Sequence, residues 1–254
     1  MPARIEPADY PVKTFSRDVF LKDVWDYGLG EHVTILGATR NGKTHLAYQL
    51  LHETATPDLQ ATVIVMKPRD DTVTRFSKAN DFKIIRDWPP SALGSRFTKK
   101  PSGYVLWPQR GRGEDPNAAD ERHARIFQRC LRANYDKGDT ITFADELYSL
   151  ENEYNMPAKG ITLSRDLVRM WTKGGSMHSG LWTATQRPAR VSLFAYQAQH
   201  IFLCNDPDKE TLKRYGEIGA GIDADIIRAL TTRLKMYQWV YINRDQRAIC
   251  IVDK

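Results

Sequence analysis

A β-branched run, a glycine-containing turn and a helix follow one another from residue 32 onward, and that combination leaves few folds open. His32-Val33-Thr34-Ile35-Leu36 stops at Gly37, and apolar periodicity from Lys43 to His52 predicts a helix. The turn between them, Gly37-Ala38-Thr39-Arg40-Asn41-Gly42-Lys43-Thr44, fits the pattern G-x-x-x-x-G-K-[ST]. Glycines there let backbone N–H groups wrap phosphates, and the helix N-terminus adds the positive end of its dipole. In such a turn the lysine, here Lys43, reaches the β/γ oxygens and assists catalysis, while the hydroxyl of Thr44 binds Mg²⁺. The sequence predicts a nucleoside-triphosphate site in which residues 37–44 form the phosphate cradle.

Further β-type runs occur at 62–66, 103–107, 140–144, 180–184 and 200–204, with helix-like stretches near 118–135, 162–173, 207–216 and 223–233. Near-continuous apolar strands alternating with amphipathic helices predict an α/β fold with a mostly parallel central sheet flanked by helices. The stretches 236–243 and 246–252, around Arg244-Asp245, read as a closing C-terminal β-hairpin. Residues 1–30, with Pro2, Pro7 and Pro11, read as an N-terminal arm or edge element, and 31–254 as one domain built on the phosphate loop. Hydrophobic residues at 41% and charged residues at 27% are those of an ordinary globular chain and exclude disorder as the main theme. There is no apolar signal core and no run approaching the roughly 20 residues of a membrane helix, so an intracellular location is expected. Cys130, Cys204 and Cys250 lie far apart, which argues against a disulfide framework or zinc site and for buried thiols.

A phosphate loop needs a second metal anchor at a strand end. Ile141-Thr142-Phe143-Ala144-Asp145-Glu146 supplies one, with Asp145 holding the Mg²⁺ shell and Glu146 placed to orient and deprotonate the attacking water. The long separation between Lys43 and Asp145, with two β-runs between, predicts an extra strand separating the loop strand from the acidic strand. That spacing speaks against small kinases and GTPases. No Asn-Lys-x-Asp guanine-reading motif is present, so ATP is favoured.

A third motif follows, Leu181-Trp182-Thr183-Ala184-Thr185-Gln186-Arg187-Pro188. A strand ending in Ala-Thr-Gln-Arg-Pro, downstream of the phosphate loop and the Asp-Glu pair, resembles the FtsK/HerA superfamily of DNA-pumping ATPases, across residues 31–216. The resemblance implies a P-loop fold of the additional-strand, catalytic-glutamate type, with Gln186 as a polar sensor of the γ-phosphate. It also implies a homo-oligomeric ring, pentameric or hexameric, in which a neighbour's arginine completes the ATP site. Where relatives often carry that arginine, this chain reads Lys173-Gly174-Gly175-Ser176, leaving Arg169, Lys173 and Arg187 as the candidates. Met66-Lys67-Pro68-Arg69 resembles the family's strand-end Asp-Pro-Lys without its Asp, which makes Lys67 a further site candidate.

The chain shows neither membrane helices nor a region for a DNA-reading winged helix or a terminase nuclease. In this it resembles the genome-packaging ATPases of viruses, with double-stranded DNA and a portal or capsid-vertex protein as expected partners. Its location would be the host cytoplasm or the virion. The net charge of +6 decides little, but two Gly/Ser/Pro-containing stretches concentrate cations, Arg96, Lys99 and Lys100 in one and Arg110 and Arg112 in the other. These are the candidate DNA-gripping residues. Alternatives of the same motor type are DNA transfer or repair, and an alternative of another class is an ATP-driven assembly or secretion protein that pumps no DNA. The six histidines show no metal-ligand spacing, and the six tryptophans read as core or interface residues.

Overall fold

The computed structural model describes residues 10–91, 99–219 and 221–254. These form two compact units, the first made of residues 10–26, 33–43, 185–219 and 221–254 and the second of residues 27–32, 44–91 and 99–184.

The first unit carries β1 (Lys13–Phe15), α1 (Arg17–Val19), β2 (Val33–Leu36), β8 (His200–Leu203), α6 (Lys209–Arg214), α7 (Ala224–Arg233), β9 (Trp239–Asn243) and β10 (Ala248–Val252). Its strands run in the order β1-β10-β9-β8-β2. β2 and β8 are parallel, β8–β9 and β9–β10 antiparallel, and β1 returns parallel to β10. The closing hairpin predicted from the sequence is β9–β10. The N-terminal segment supplies the edge strand β1, and Phe20 just beyond it is fully buried, edge-on to Phe202 and Tyr241.

The second unit carries α2 (Lys43–Thr54), β3 (Gln60–Ile64), α3 (Asp71–Ala79), β4 (Phe82–Ile85), β5 (Gly103–Leu106), α4 (Pro116–Lys137), β6 (Thr140–Ala144), α5 (Leu163–Lys173) and β7 (Ser179–Thr185). Its strand order is β7-β6-β3-β5-β4, parallel throughout. Every residue of β3, β6 and β7 is buried, their Thr, Ser and Gln positions included, so both faces of these strands are covered. One strand separates β3 from β7, and it is the acidic strand β6, with Thr142 opposite Thr62 on one side and Leu181 on the other.

Helix α4 sets the position of β6. Asp115 caps its N-terminus by accepting from the Ala118 N–H, Pro116 occupies the first turn, and Gly138 ends it at φ 69°. The buried Asn134 amide donates to Thr142 Oγ1 at 2.8 Å, and Thr140 Oγ1 donates to the Asn134 carbonyl at 3.0 Å. Helix α5 is fastened to α4 through Asp166, which accepts from Gln128 at 2.9 Å and Arg132 at 3.0 Å.

Two elements depart from the sequence reading. Helix α3 and strand β4 were not anticipated. The helix is short and rich in Thr, Ser and charge, buries only Val73, Phe76 and Ser77, and β4 is a four-residue edge strand with exposed Lys83.

His32 ties the segment entering β2 to the second unit's core. Its Nδ1 accepts the Leu181 N–H at 3.0 Å and its ring lies edge-on to Trp171. Burial lowers its pKa to about 4, against smaller opposing effects from a backbone hydrogen bond to Trp171 and the charge of Glu31. The neutral ring is therefore preferred by the folded state. Its contribution is present above the unfolded value of 6.5 and is lost as pH falls from there toward 4. Chemical unfolding at stepped pH should show stability dropping across that window, by on the order of 3 kcal/mol from this group. His32→Asn should flatten the drop.

A phosphate-loop candidate active site

In the first unit, β2 ends at Leu36 and the chain turns sharply through the loop. Gly37 at φ 155° and Gly42 at φ 83° hold conformations that side chains disfavour, and Arg40 takes the left-handed region at 68°. Gly37 has no room for a substituent, since a Cβ there would lie 1.9 Å from Cys204 Sγ. Its N–H donates to the Thr185 carbonyl at 3.3 Å. Lys43 Nζ folds back to donate to the Ala38 carbonyl at 2.8 Å, and Asn41 Nδ2 donates to the same oxygen at 3.4 Å. The loop is thus braced by its own side chains, with exposed Thr39 and Arg40 at its crown.

Gln186, on the turn after β7, joins this group. Its Oε1 accepts from the Thr39 hydroxyl at 2.7 Å, so Gln186 and the loop are directly joined. The segment after it is clamped by residues the sequence reading did not single out. Tyr196 OH donates to the Pro188 carbonyl at 2.8 Å, and the Arg214 guanidinium, 4.4 Å over the Tyr196 ring, donates to the same carbonyl at 3.3 Å. The Arg187 N–H donates to Thr185 Oγ1 at 3.1 Å.

In the second unit, Thr44 Oγ1 donates to Asp145 Oδ1 at 2.6 Å. Lys43 and Thr44 are consecutive at the start of α2, so one peptide bond carries the lysine expected to reach phosphate and the hydroxyl expected to reach metal. Asp145 emerges one residue past β6, and Lys67 lies three residues past β3, so the parallel register of these neighbours brings both to the same strand end. Lys67 Nζ meets Asp145 Oδ2 at 2.7 Å and Asp70 Oδ2 at 3.8 Å. Burial alone would lower the Lys67 pKa, but the charges of Asp145, Asp70 and Glu146 hold it above its ordinary value. Glu146 is half-buried beside Asp145. A hydroxyl and a carboxylate are hard oxygen donors, the set that suits Mg²⁺.

The remaining candidates lie elsewhere. Arg169 and Lys173, on α5, line a groove of about 630 Å³ with Arg132, Arg165 and Asp166. The Arg169 guanidinium lies 4.0 Å over the Tyr135 ring and 3.5 Å from Asp136. Lys99, Lys100, Arg110 and Arg112 are exposed. Lys100 stands 3.8 Å from Asp58, and Arg110 Nε donates to the Glu114 carbonyl at 2.7 Å. Arg96 lies outside the described residues. Among the described residues no cluster of three His, Cys, Asp or Glu side chains could hold a metal, and no helix is long and apolar enough to cross a membrane.

No protein-family profile matches this sequence, and no curated protein sequence does. Solved structures do match. The genome packaging NTPase B204 from Sulfolobus turreted icosahedral virus 2, in complex with AMP, aligns with a TM-score of 0.55 at 14% identity over 89% of this chain and 98% of that one. The chain shares the fold of a genome-packaging NTPase. B204 from Sulfolobus turreted icosahedral virus, described as a DNA-packaging ATPase, gives 0.57 at 16% identity over 89% and 98%. The pCW3 conjugation coupling protein TcpA, solved with ATPγS, gives 0.50 at 12% identity over 87% of this chain and 59% of that one. These neighbours share the α/β fold with a mostly parallel sheet that the sequence predicts.

The Gly37–Cys204 approach gives a direct test of the loop. Gly37→Ala should lower stability by about 2 kcal/mol and abolish binding of a fluorescent ATP analogue. Adding Cys204→Ala should recover part of the stability in denaturant titrations by removing the clashing sulfur.

Proposed function

We propose that this protein is the subunit of an Mg²⁺-dependent, ATP-hydrolysing motor that translocates double-stranded DNA, and that it packages a viral genome. The observation that carries this reading is the coupling of the phosphate loop to Gln186 through Thr39 and to Asp145 through Thr44, on a fold shared with B204.

Residues 37–44 cradle the triphosphate, and Lys43 leaves the Ala38 carbonyl to reach its outer oxygens. Thr44 and Asp145 hold Mg²⁺, which neutralises phosphate charge when bound. Glu146 orients and deprotonates the attacking water. Gln186 reports the γ-phosphate to the clamped segment that follows it. Residues 31–254 act as the motor, and copies assemble into a pentameric or hexameric ring in which Arg169, Lys173 or Arg187 serves the neighbouring subunit's nucleotide. Arg96, Lys99, Lys100, Arg110 and Arg112 grip DNA phosphates, with a portal or capsid-vertex protein as docking partner in the host cytoplasm or virion.

The likeness to TcpA supports a second reading, transfer of DNA between cells by the same chemistry. The packaging reading is favoured because the fold superposes better on B204, with a TM-score of 0.57, than on TcpA, with 0.50.

ATP hydrolysis measured with and without linear double-stranded DNA tests the reading. DNA should stimulate the rate, and Glu146→Gln should lower kcat by at least about 100-fold. Hydrolysis indifferent to DNA at low salt would sink the translocase reading. DNA affinity should fall steeply with salt and show little sequence preference. Replacing Lys99, Lys100, Arg110 and Arg112 with Ala should flatten that salt dependence in binding titrations.

A further inference from the structure

Both oxygens of Asp145 are engaged. Oδ1 accepts from the Thr44 hydroxyl at 2.6 Å and Oδ2 pairs with Lys67 Nζ at 2.7 Å. We propose that Lys67 competes with the divalent cation for Asp145 and makes metal binding conditional on nucleotide. This rests on the reading of Asp145 as a metal ligand and names a control acting on that same site.

The arrangement suits a competitor better than a permanent partner. The Asp145 side chain is 9% exposed, whereas that of Lys67 is 55% exposed, so the carboxylate is fixed and the ammonium can move. The base of Lys67 is pinned, because Trp107 Nε1 donates to its carbonyl at 2.7 Å and Pro68 restricts its backbone. Movement is therefore confined to the four-carbon stem. A second acceptor is in reach, since Asp70 Oδ2 lies 3.8 Å from Nζ while Oδ1 of the same carboxylate caps α3 by accepting from the Thr72 N–H at 2.9 Å. Lys67 can exchange one carboxylate for another without giving up a charged partner.

Charge decides when the exchange occurs. A divalent cation arriving alone must displace an ammonium already paired with Asp145. A cation arriving with a triphosphate brings negative charge that draws Lys67 away and lowers that cost. Lys67 thereby disfavours metal bound without nucleotide and leaves metal bound with nucleotide nearly unaffected. Arginine at this position would retain the competition, and an uncharged side chain would remove it.

Mn²⁺ is the probe, with free Mn²⁺ followed by electron paramagnetic resonance in titrations of the full chain. With no nucleotide added, Lys67→Met should bind Mn²⁺ about tenfold more tightly than the parent protein. Lys67→Arg should behave as the parent, and a non-hydrolysable ATP analogue should shrink the gap between parent and Lys67→Met. Asp145→Asn serves as the reference, and matching unfolding midpoints establish that the Lys67 variants are folded. Equal Mn²⁺ affinity of parent and Lys67→Met without nucleotide overturns the proposal. If the parent then still binds Mn²⁺ with the analogue in an Asp145-dependent way, the reading of the metal site stands. If no Mn²⁺ binding depends on Asp145 under either condition, both fall.

Discussion

The hydrogen bond from Thr44 to Asp145 joins the first turn of α2 to the end of β6, and its 2.6 Å length leaves little slack in either element. Its geometry depends on where β6 stops, and that is fixed a layer further out. Asn134 of α4 reaches Thr142 in mid-strand, and Thr140 reaches back to the Asn134 carbonyl. α4 is itself held to α5 by Asp166. Each of these polar groups is buried or nearly so and each has a partner, so displacing one leaves an unsatisfied group behind. The carboxylate is presented by a connected set of bonds rather than by a loop alone.

Much of this was legible in the sequence because it is local. The phosphate loop is a contiguous pattern, and the fully buried strands β6 and β7 show as short runs of β-branched, aromatic and small residues. The acidic pair could be placed because it follows directly on such a run. Partnerships between distant residues were not legible. Lys67 and Asp145 are 78 residues apart, and Thr39 and Gln186 are 147 apart, so their contacts exist only once the register of the sheet is known. The Tyr196–Arg214 clamp has the same character, since neither residue belongs to a motif. α3 escaped notice for a different reason, its few buried residues being diluted by Thr, Ser and charge.

Charge shows the same division. Sequence reading finds cations where they crowd together, as at Lys99-Lys100 and Arg110 to Arg112. The folded chain also gathers cations spaced along helices. Arg132 on α4 and Arg165, Arg169 and Lys173 on α5 surround one groove, and Arg86, Arg122, Arg125 and Arg129 line another of about 710 Å³. Several of these are already engaged, Arg122 by Glu114, Arg129 by Asp87 and Arg132 by Asp166, so their number overstates the field they project.

The close approach of Gly37 to Cys204 has a chemical consequence. Burial pushes the Cys204 thiol up to about 11, against a smaller opposing effect of Lys43, so little thiolate exists at neutral pH. The space beside its sulfur is filled by the backbone of Gly37, and any adduct there would need the volume the phosphate turn occupies. A reagent that approaches this buried thiol from the Gly37 side therefore has to displace the turn, so labelling of Cys204 reports on opening of the structure around it.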